Sequence, residues 1–256
     1  MNDKTHRRPI KWSSFAQTDK GMIREVNEDA IISREDIGLW AVADGMGGHA
    51  IGDVASTMVI DSLAEAAPKS YLNDVVVTVE DCLLQANSNI YAYSQRMLDG
   101  ATMGTTVIAL LLHYQVGVCF WVGDSRLYRY RDNELLQLTR DHSQVEEWLQ
   151  QGLLRPEEAG NHPQRNVITR AVGVEDQLNI DMDVFDTSTG DTFLLCSDGL
   201  YNAIDRQQIA DGLLCRDAKE AVTALMMAAL DNGASDNVSI IVVKGEPGEF
   251  ADPGIK

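Results

Sequence analysis

Carboxylates recur where apolar runs begin or end. Asp44 closes LWAVA, Asp124 follows CFWV and Gly123, Asp198 follows TFLLC and Ser197, and Asp236 precedes NVSIIVV, while Glu28 and Asp29 open the run AIIS. Runs of this composition read as strands, and strand ends are held by the core behind them, so acidic groups there can be fixed along one edge of a sheet. Like charges gathered at such an edge repel unless cations neutralise them. An all-oxygen donor set with no matching histidine or cysteine pattern suits Mg2+ or Mn2+. Taken singly, each Asp-Gly is also an ordinary turn, because Asp accepts local hydrogen bonds and Gly takes positive φ. The cluster DGMGGHA at 44–50 is ambiguous in the same way, since a phosphate cradle, a cation site and a chain reversal all use glycines between a strand and a helix.

The elements that must position these groups follow from periodicity. Strands are predicted at AIIS from Ala30, LWAVA from Leu39, TTVIALLL from Thr105, VCFWV from Val118, RLYRY from Arg126, TFLLC from Thr192 and VSIIVV from Val238. VCFWV and RLYRY are separated only by Gly123, Asp124 and Ser125, which predicts an antiparallel hairpin. Ala55, Met58, Val59, Ser62, Leu63 and Ala66 share one helical face, expected within a helix over Ala50 to Ala66. Ala218, Ala221, Val222, Leu225, Met226 and Ala229 repeat those spacings behind Asp217, a natural N-cap. A long helix is predicted from about Asn73 to Leu98. Helices covering antiparallel sheets are the expected architecture.

The stretch from Ser143 to Arg165 reads as a surface excursion with one short amphipathic helix, suited to a lid or recognition flap and equally to an insertion without function. In NIDMDVF, Ile180, Met182 and Val184 alternate with Asp181, Asp183 and Phe185, the pattern of a half-buried strand with its acids in water.

Composition sets outer limits. The 256-residue chain is 45% hydrophobic and 23% charged, as expected for one globular domain with a single sizeable core. Its 39 acidic against 21 basic residues give a formal charge of −18, which argues against nucleic acid or an anionic membrane as a general partner. Cys82, Cys119, Cys196 and Cys215 lack Cys-x-x-Cys spacing and read as free thiols. No apolar run approaches a membrane span, and a cytoplasmic protein is expected. Lys4, Arg7, Arg8 and Lys11 give the N-terminus a basic character, read as a frayed arm over residues 1–10.

The ordered segments GMIREVNEDA, AVADGMGGHAIGDVAS, MGTTVIALLL, FWVGDSRLYRYRDNELLQLTRDHS, ITRAVG, FLLCSDGLYN and SDNVSIIVV resemble the metal-dependent, type 2C serine/threonine protein phosphatases, in particular their compact bacterial members. The resemblance runs from Gly21 to about Val243. It implies an α+β fold, a four-layer α-β-β-α sandwich of two antiparallel sheets flanked by helix pairs. It implies one catalytic domain over 11–245, a flap at about 143–168 and a tail from 246 to 256. It further implies two Mn2+ or Mg2+ ions bridged by Asp44, with the Gly45 carbonyl as a further ligand, Asp198 and Asp236 completing the ligand set of the second metal, and Glu28 and Asp29 acting mostly through water. Asp124, with Asp198, matches a weaker third metal site. Arg24 matches the arginine that forks onto the substrate phosphate, a task suited to a planar guanidinium.

The activity so implied is hydrolysis of phosphoserine and phosphothreonine by direct attack of a hydroxide bridging the two ions, whose pKa the metals lower. Phosphorylated proteins, including a bacterial serine/threonine kinase or its substrates, are the expected partners, and a monomer is expected. One position departs from the family pattern. Eukaryotic members place a histidine directly after the Asp-Gly pair, where this chain has Met46; His49 is the nearest candidate for proton transfer, and it also suits phosphate binding or helix capping. His142 is read as structural or as a flap hinge.

Three rivals are weaker. NIDMDVF imitates the Asp-x-Asp box of phosphatases that attack through aspartate, but that nucleophile strand is buried on both faces. A nucleotide loop after Asp44 would need a Gly-Lys-Ser/Thr closure, which is absent. A catalytically silent, phosphoprotein-binding pseudophosphatase would be signalled by loss of a metal aspartate, and Asp44, Asp198 and Asp236 are all present.

Overall fold

The protein is described by a computed structural model that covers residues 9–47, 51–160 and 162–248. Eleven strands form two sheets among the described residues. One sheet has the order β1-β11-β10-β7-β8, with β1 at Ile10–Asp19, β7 at Arg126–Arg131, β8 at Glu134–Gln137, β10 at Thr192–Cys196 and β11 at Val238–Pro247. The other has the order β2-β3-β5-β6-β9, with β2 at Asp29–Arg34, β3 at Leu39–Met46, β5 at Val107–His113, β6 at Val116–Val122 and β9 at Asp181–Asp186. A two-residue strand, β4 at Gly104–Thr105, pairs with the end of β3. Every pairing is antiparallel.

Three apolar layers hold the sheets in place. Helices α1 (Gly52–Ala64) and α2 (Leu72–Met97) cover the β3 sheet through Val59, Leu63, Val79, Leu83 and Ile90. Helices α5 (Asp198–Ala203), α6 (Arg206–Leu213) and α7 (Ala218–Asp231) cover the β11 sheet through Leu200, Ile209, Val222 and Leu225. Trp40, Ile108, Leu110, Phe193, Leu195 and Ile241 fill the space between the sheets. The result is the four-layer sandwich that the family resemblance implied. Asp217 caps α7 by accepting the Glu220 N–H at 2.9 Å, a bond typically worth about 1 kcal/mol. The excursion carries α3 (Gln144–Gln150), capped by Ser143, and the short α4 (Pro156–Ala159).

Four expectations change. The predicted hairpin of VCFWV with RLYRY does not form: β6 belongs to one sheet and β7 to the other. Gly123, at φ +103°, turns the chain across the gap between the sheets, so a short link joins layers and not neighbouring strands. In β9 the expected inward residues Met182 and Val184 are 50% and 56% exposed, while Phe185 packs between the sheets. Met182 and Val184 pair with Phe120 and Val118, which face the α1/α2 layer, but on this edge strand they remain uncovered. The helix expected from Ala50 is described from Gly52 and ends at Ala64. Ile10 pairs with Pro247, so the β1–β11 ladder reaches past the boundaries expected for both the arm and the tail.

Candidate active site

The antiparallel order brings the carboxylates to one end of the sandwich. Strands β3, β6 and β10 end there, and β2 and β11 begin there, so residues next to those five termini meet although they come from distant parts of the chain. Asp29 and Asp44 are direct cross-strand partners in the β2–β3 ladder, and Asp124 stands on the link between the sheets. Asp198 and Asp236 flank the paired ends of β10 and β11. Arg24, Glu28, Asp44, Gly45, Asp124, Asp198 and Asp236 line one cleft of about 300 Å³, together with Met46, Gly47, Thr106, Asn166 and Ile168. Asp29 lies just beneath them, buried.

The backbone around Asp44 is fixed from both sides. Its carbonyl accepts the Thr106 N–H at 2.8 Å and the Thr105 hydroxyl at 2.9 Å, and its own N–H donates to Thr106 Oγ1 at 3.2 Å. Gly45 continues the strand, pairing with Thr105, and its N–H donates to the Glu28 carbonyl at 3.1 Å. A turn at Gly45, Gly47 and Gly48 is what the glycines suggest; Gly45 instead stays in the strand, Gly47 takes φ +143°, and Gly48 lies outside the described residues. Glycine is required at 45 by close approach, since a Cβ there would lie 2.1 Å from the Gly52 carbonyl oxygen.

Three polar residues without assigned roles in the motif analysis tie the two sheets together. Ser197 donates its hydroxyl to Asp29 Oδ2 at 2.8 Å and accepts the Ser239 N–H at 3.0 Å. Asn237 accepts the Glu28 N–H at 2.8 Å and donates to the carbonyls of Lys20 and Val26 at 2.9 Å each, which holds the loop that carries Arg24. Thr106 shares a hydrogen bond with Ser125 at 2.7 Å. Ser197 and Asn237 adjoin Asp198 and Asp236 in SDGL and SDNV, and Thr106 lies in GTTV, far from Asp124 in the sequence, but composition alone gives small polar residues near turns no partner.

Crowding of negative charge dominates the electrostatics. Burial, then repulsion from Asp29, Asp198, Asp124 and Asp236, pushes Asp44 well above the ordinary carboxylate range. Burial and then Asp124 push Asp198 up to about 8. Asp29 and Asp124 each rise to about 6, chiefly through burial. One positive charge answers them directly: Arg24 donates to Asp236 Oδ2 at 2.7 Å while its side chain is 51% exposed. That bond raises the Arg24 pKa further. The family resemblance implied a phosphate role for Arg24; here its guanidinium lines the cleft, half exposed and bonded to Asp236.

The donor set fits hard divalent cations. Among the described residues the cleft is lined by the carboxylates of Glu28, Asp44, Asp124, Asp198 and Asp236 and by the Thr106 hydroxyl, with the Arg24 guanidinium, the Asn166 amide and the Met46 thioether beside them, and Asp29 Oδ1 is buried with no hydrogen-bond partner. Such a group is costly unless a cation or donor reaches it. Among the described residues no three carboxylates, thiols or imidazoles are already drawn around one point; the carboxylates line the cleft from separate strand ends instead. His49 lies outside the described residues.

The remaining candidates lie elsewhere. His142 Nδ1 accepts the Gly123 N–H at 3.1 Å, and Nε2 faces Asp181 Oδ2 at 3.2 Å; burial holds its pKa below the usual value. Asp181, the first acid of the Asp-x-Asp imitation, is engaged by Arg170 at 2.8 Å and by His142, away from the cleft. Cys119 and Cys196 are buried and pushed up to about 12 by desolvation, so neither is a thiolate at neutral pH. A second cavity of about 300 Å³ opens beyond Asn166, between the 143–168 excursion and α5, and is lined in part by Arg126, Asp141, Tyr201 and Asn202.

Two sheets in a four-layer sandwich with acidic residues converging at one end form an architecture with known relatives. Residues 23–238 match the family described as Protein phosphatase 2C, and the chain belongs to that family. It is 36% identical over 239 residues to the serine/threonine phosphatase stp of Listeria welshimeri, covering 89% of this chain and 94% of that protein. It is 37% identical over 228 residues to the serine/threonine protein phosphatase PstP of Mycobacterium tuberculosis, covering 89% of this chain and 44% of PstP. Among solved structures, PppA, described as a key regulatory component of T6SS in Pseudomonas aeruginosa, superposes with a TM-score of 0.86 at 38% identity over 93% of this chain and 99% of PppA. The catalytic domain of PstP in complex with two manganese ions superposes at 0.83 with 33% identity, again over 93% and 99%.

Proposed function

We propose that this phosphatase removes phosphate from serine and threonine of proteins by direct attack of water, supported by two Mn2+ or Mg2+ ions. The observation that carries the reading is the convergence of Asp44, Asp198, Asp236 and Arg24 on a single cleft. In this reading Asp44, with the Gly45 carbonyl beside it, Asp198 and Asp236 would hold the two cations, and Glu28 and Asp29 would act through water. Asp124, with Asp198, offers a weaker third site. When bound, the ions supply an activated water and offset phosphate charge. Arg24 exchanges part of its contact with Asp236 for two phosphate oxygens, and its fork orients the phosphorus toward the carboxylate floor.

No covalent intermediate on the protein is required. The two buried cysteines are protonated, and Asp181 is engaged in ion pairs outside the cleft. Retention of Asp44, Asp198 and Asp236 leaves the pseudophosphatase alternative without support. The chain from Ile10 to Pro247 acts as one catalytic domain with a flap at 143–168, and a bacterial serine/threonine kinase or its targets supply the phosphorylated partner. No helix among the described residues is long and apolar enough to cross a membrane.

Hydrolysis of a phosphothreonine peptide, measured with Mn2+ and then with EDTA, tests the reading. Activity should require the metal and fall at least about a hundredfold in Asp44→Asn and Asp198→Asn. Equal rates in EDTA, or an unaffected Asp44→Asn enzyme, would sink it.

A further inference from the structure

The link that carries Asp124 is gripped from two directions by residues that the proposed reaction does not use. On one side His142 takes hold of Gly123 twice: its Nδ1 accepts the Gly123 N–H at 3.1 Å and its own N–H donates to the Gly123 carbonyl at 2.9 Å. On the other side the Tyr201 hydroxyl lies 3.1 Å from the Asp124 carbonyl oxygen and 3.3 Å from its Oδ2. A phenol hydroxyl is protonated at neutral pH and donates.

Tyr201 is itself seated on a charge. The Arg126 guanidinium carbon lies 3.5 Å from the centre of the Tyr201 ring, a cation–π contact that fixes the ring plane. Arg126 is clamped in turn: Nε donates to both oxygens of Asp141 at 3.0 Å, one terminal nitrogen reaches Asp141 Oδ2 at 2.6 Å, and the other donates to the Tyr128 hydroxyl at 3.0 Å. With its fork occupied, Arg126 has little capacity to bind a ligand and serves as a rigid platform. Asp141 and His142 are consecutive, and Ser143 then starts the flap.

We infer that Tyr201, seated on the Arg126–Asp141 pair, is the positioning residue that orients the Asp124 carboxylate toward the cleft and ties it to the root of the flap. The inference rests on the metal-dependent reading of the cleft given above. The single hydroxyl hydrogen of Tyr201 is shared between the Asp124 carbonyl oxygen and Oδ2, and the carboxylate lines the cleft, so the hydroxyl ties the rotation of the acid to its backbone. A ring present only to pack α5 would serve equally well without its hydroxyl.

Tyr201→Phe separates the two roles, because it keeps the ring on Arg126 and removes only the donor. Free Mn2+ is counted by electron paramagnetic resonance during titration of the full-length wild type, Tyr201→Phe, Asp124→Asn and the double variant, and each is melted in EDTA. Tyr201→Phe should weaken the weakest Mn2+ site about tenfold, as expected for loss of a partner that orients a ligating group, and leave tighter sites in place. It should add nothing in the Asp124→Asn background, and its melting temperature in EDTA should stay within about 3 °C of wild type. A binding curve identical to wild type, an equal loss at every site, or the same loss in the Asp124→Asn background overturns the inference. A wild type that fails to hydrolyse phosphothreonine peptide with Mn2+ sinks the phosphatase reading instead, while the binding curves still decide the role of Tyr201.

Discussion

Replacing Asp124 by Asn removes a charge that the fold holds at a cost and leaves its shape in place. The side chain is 6% exposed, and burial first, then the neighbouring Asp141, lifts its pKa to about 6 from 3.8. The sign follows from the direction of that shift. Below about pH 4 the carboxyl is protonated in both folded and unfolded chains, and the group carries no penalty. As pH rises to 6 the unfolded chain releases a proton that the folded chain retains, so stability falls; above 6 the loss is complete. The span from 3.8 to about 6, at 1.36 kcal/mol per pH unit, amounts to about 3 kcal/mol. Asn retains an acceptor for Tyr201 and carries no charge. In EDTA at pH 8 the variant should therefore melt higher than wild type, by about 6–12 °C for a chain of this size, and the two should coincide near pH 4. Thermal melts at one-unit pH steps in EDTA measure this directly. A variant no more stable at pH 8, or one whose advantage persists undiminished at pH 4, would refute the claim that Asp124 is a buried charge held against its solvation. Saturating Mn2+ should shrink the advantage, because only the wild type gains a charged ligand there.

Other perturbations have equally definite outcomes. Gly45→Ala should cost about 3 kcal/mol or more in urea melts, since its Cβ would stand 2.1 Å from one backbone oxygen and 2.6 Å from another; a fully stable variant would show that α1 can move away freely. Arg24→Ala should raise KM for phosphothreonine peptide about tenfold or more with a smaller change in kcat, and because the Arg24–Asp236 pair is exposed, stability should change by less than about 1 kcal/mol; an unchanged KM removes Arg24 from phosphate binding. His142 is held neutral by burial, so its contribution is present above the unfolded value of 6.5 and is lost as pH falls below it. His142→Gln should flatten that part of the stability profile, and an unchanged slope between pH 6.5 and 5 would contradict the assignment.

Much of this was legible from residue pattern because two strong signals coincided. Apolar runs bounded by acids located strand ends, and antiparallel pairing then forces those ends to meet. Helix α7 was readable from its small apolar face and from Asp217, whose side chain makes the predicted cap. The failures have equally physical origins. Gly-Asp-Ser between two strands is a hairpin linker by length, and length alone does not reveal whether the second strand returns beside the first or crosses a 10 Å sheet gap, a typical separation. The apolar alternation of Met182 and Val184 was a true strand pattern, yet whether its outward face is covered depends on where the helix layer stops. Gly45 looked like turn chemistry because glycine answers two needs, left-handed backbone and close approach, and only the position of Gly52 distinguishes them. Asn237 and Ser197 were invisible as anchors because their partners lie far away in sequence.

The crossing at Gly123 has a mechanical consequence. Asp29 and Asp44 belong to one hydrogen-bonded sheet, whereas Asp198 and Asp236 flank strands of the other, and among the described residues no backbone ladder joins the two. Their spacing is set by the slab of side chains between the sheets, including Trp40, Phe193 and Ile241, and by the Ser197 and Asn237 sutures at the edge. The cleft therefore works as a caliper whose jaws are separate sheets, and the thickness of the buried slab sets its opening. Phe193 is not part of the cleft lining, yet trimming it should change the gap that a pair of cations must span, read as weaker Mn2+ binding in a variant such as Phe193→Leu.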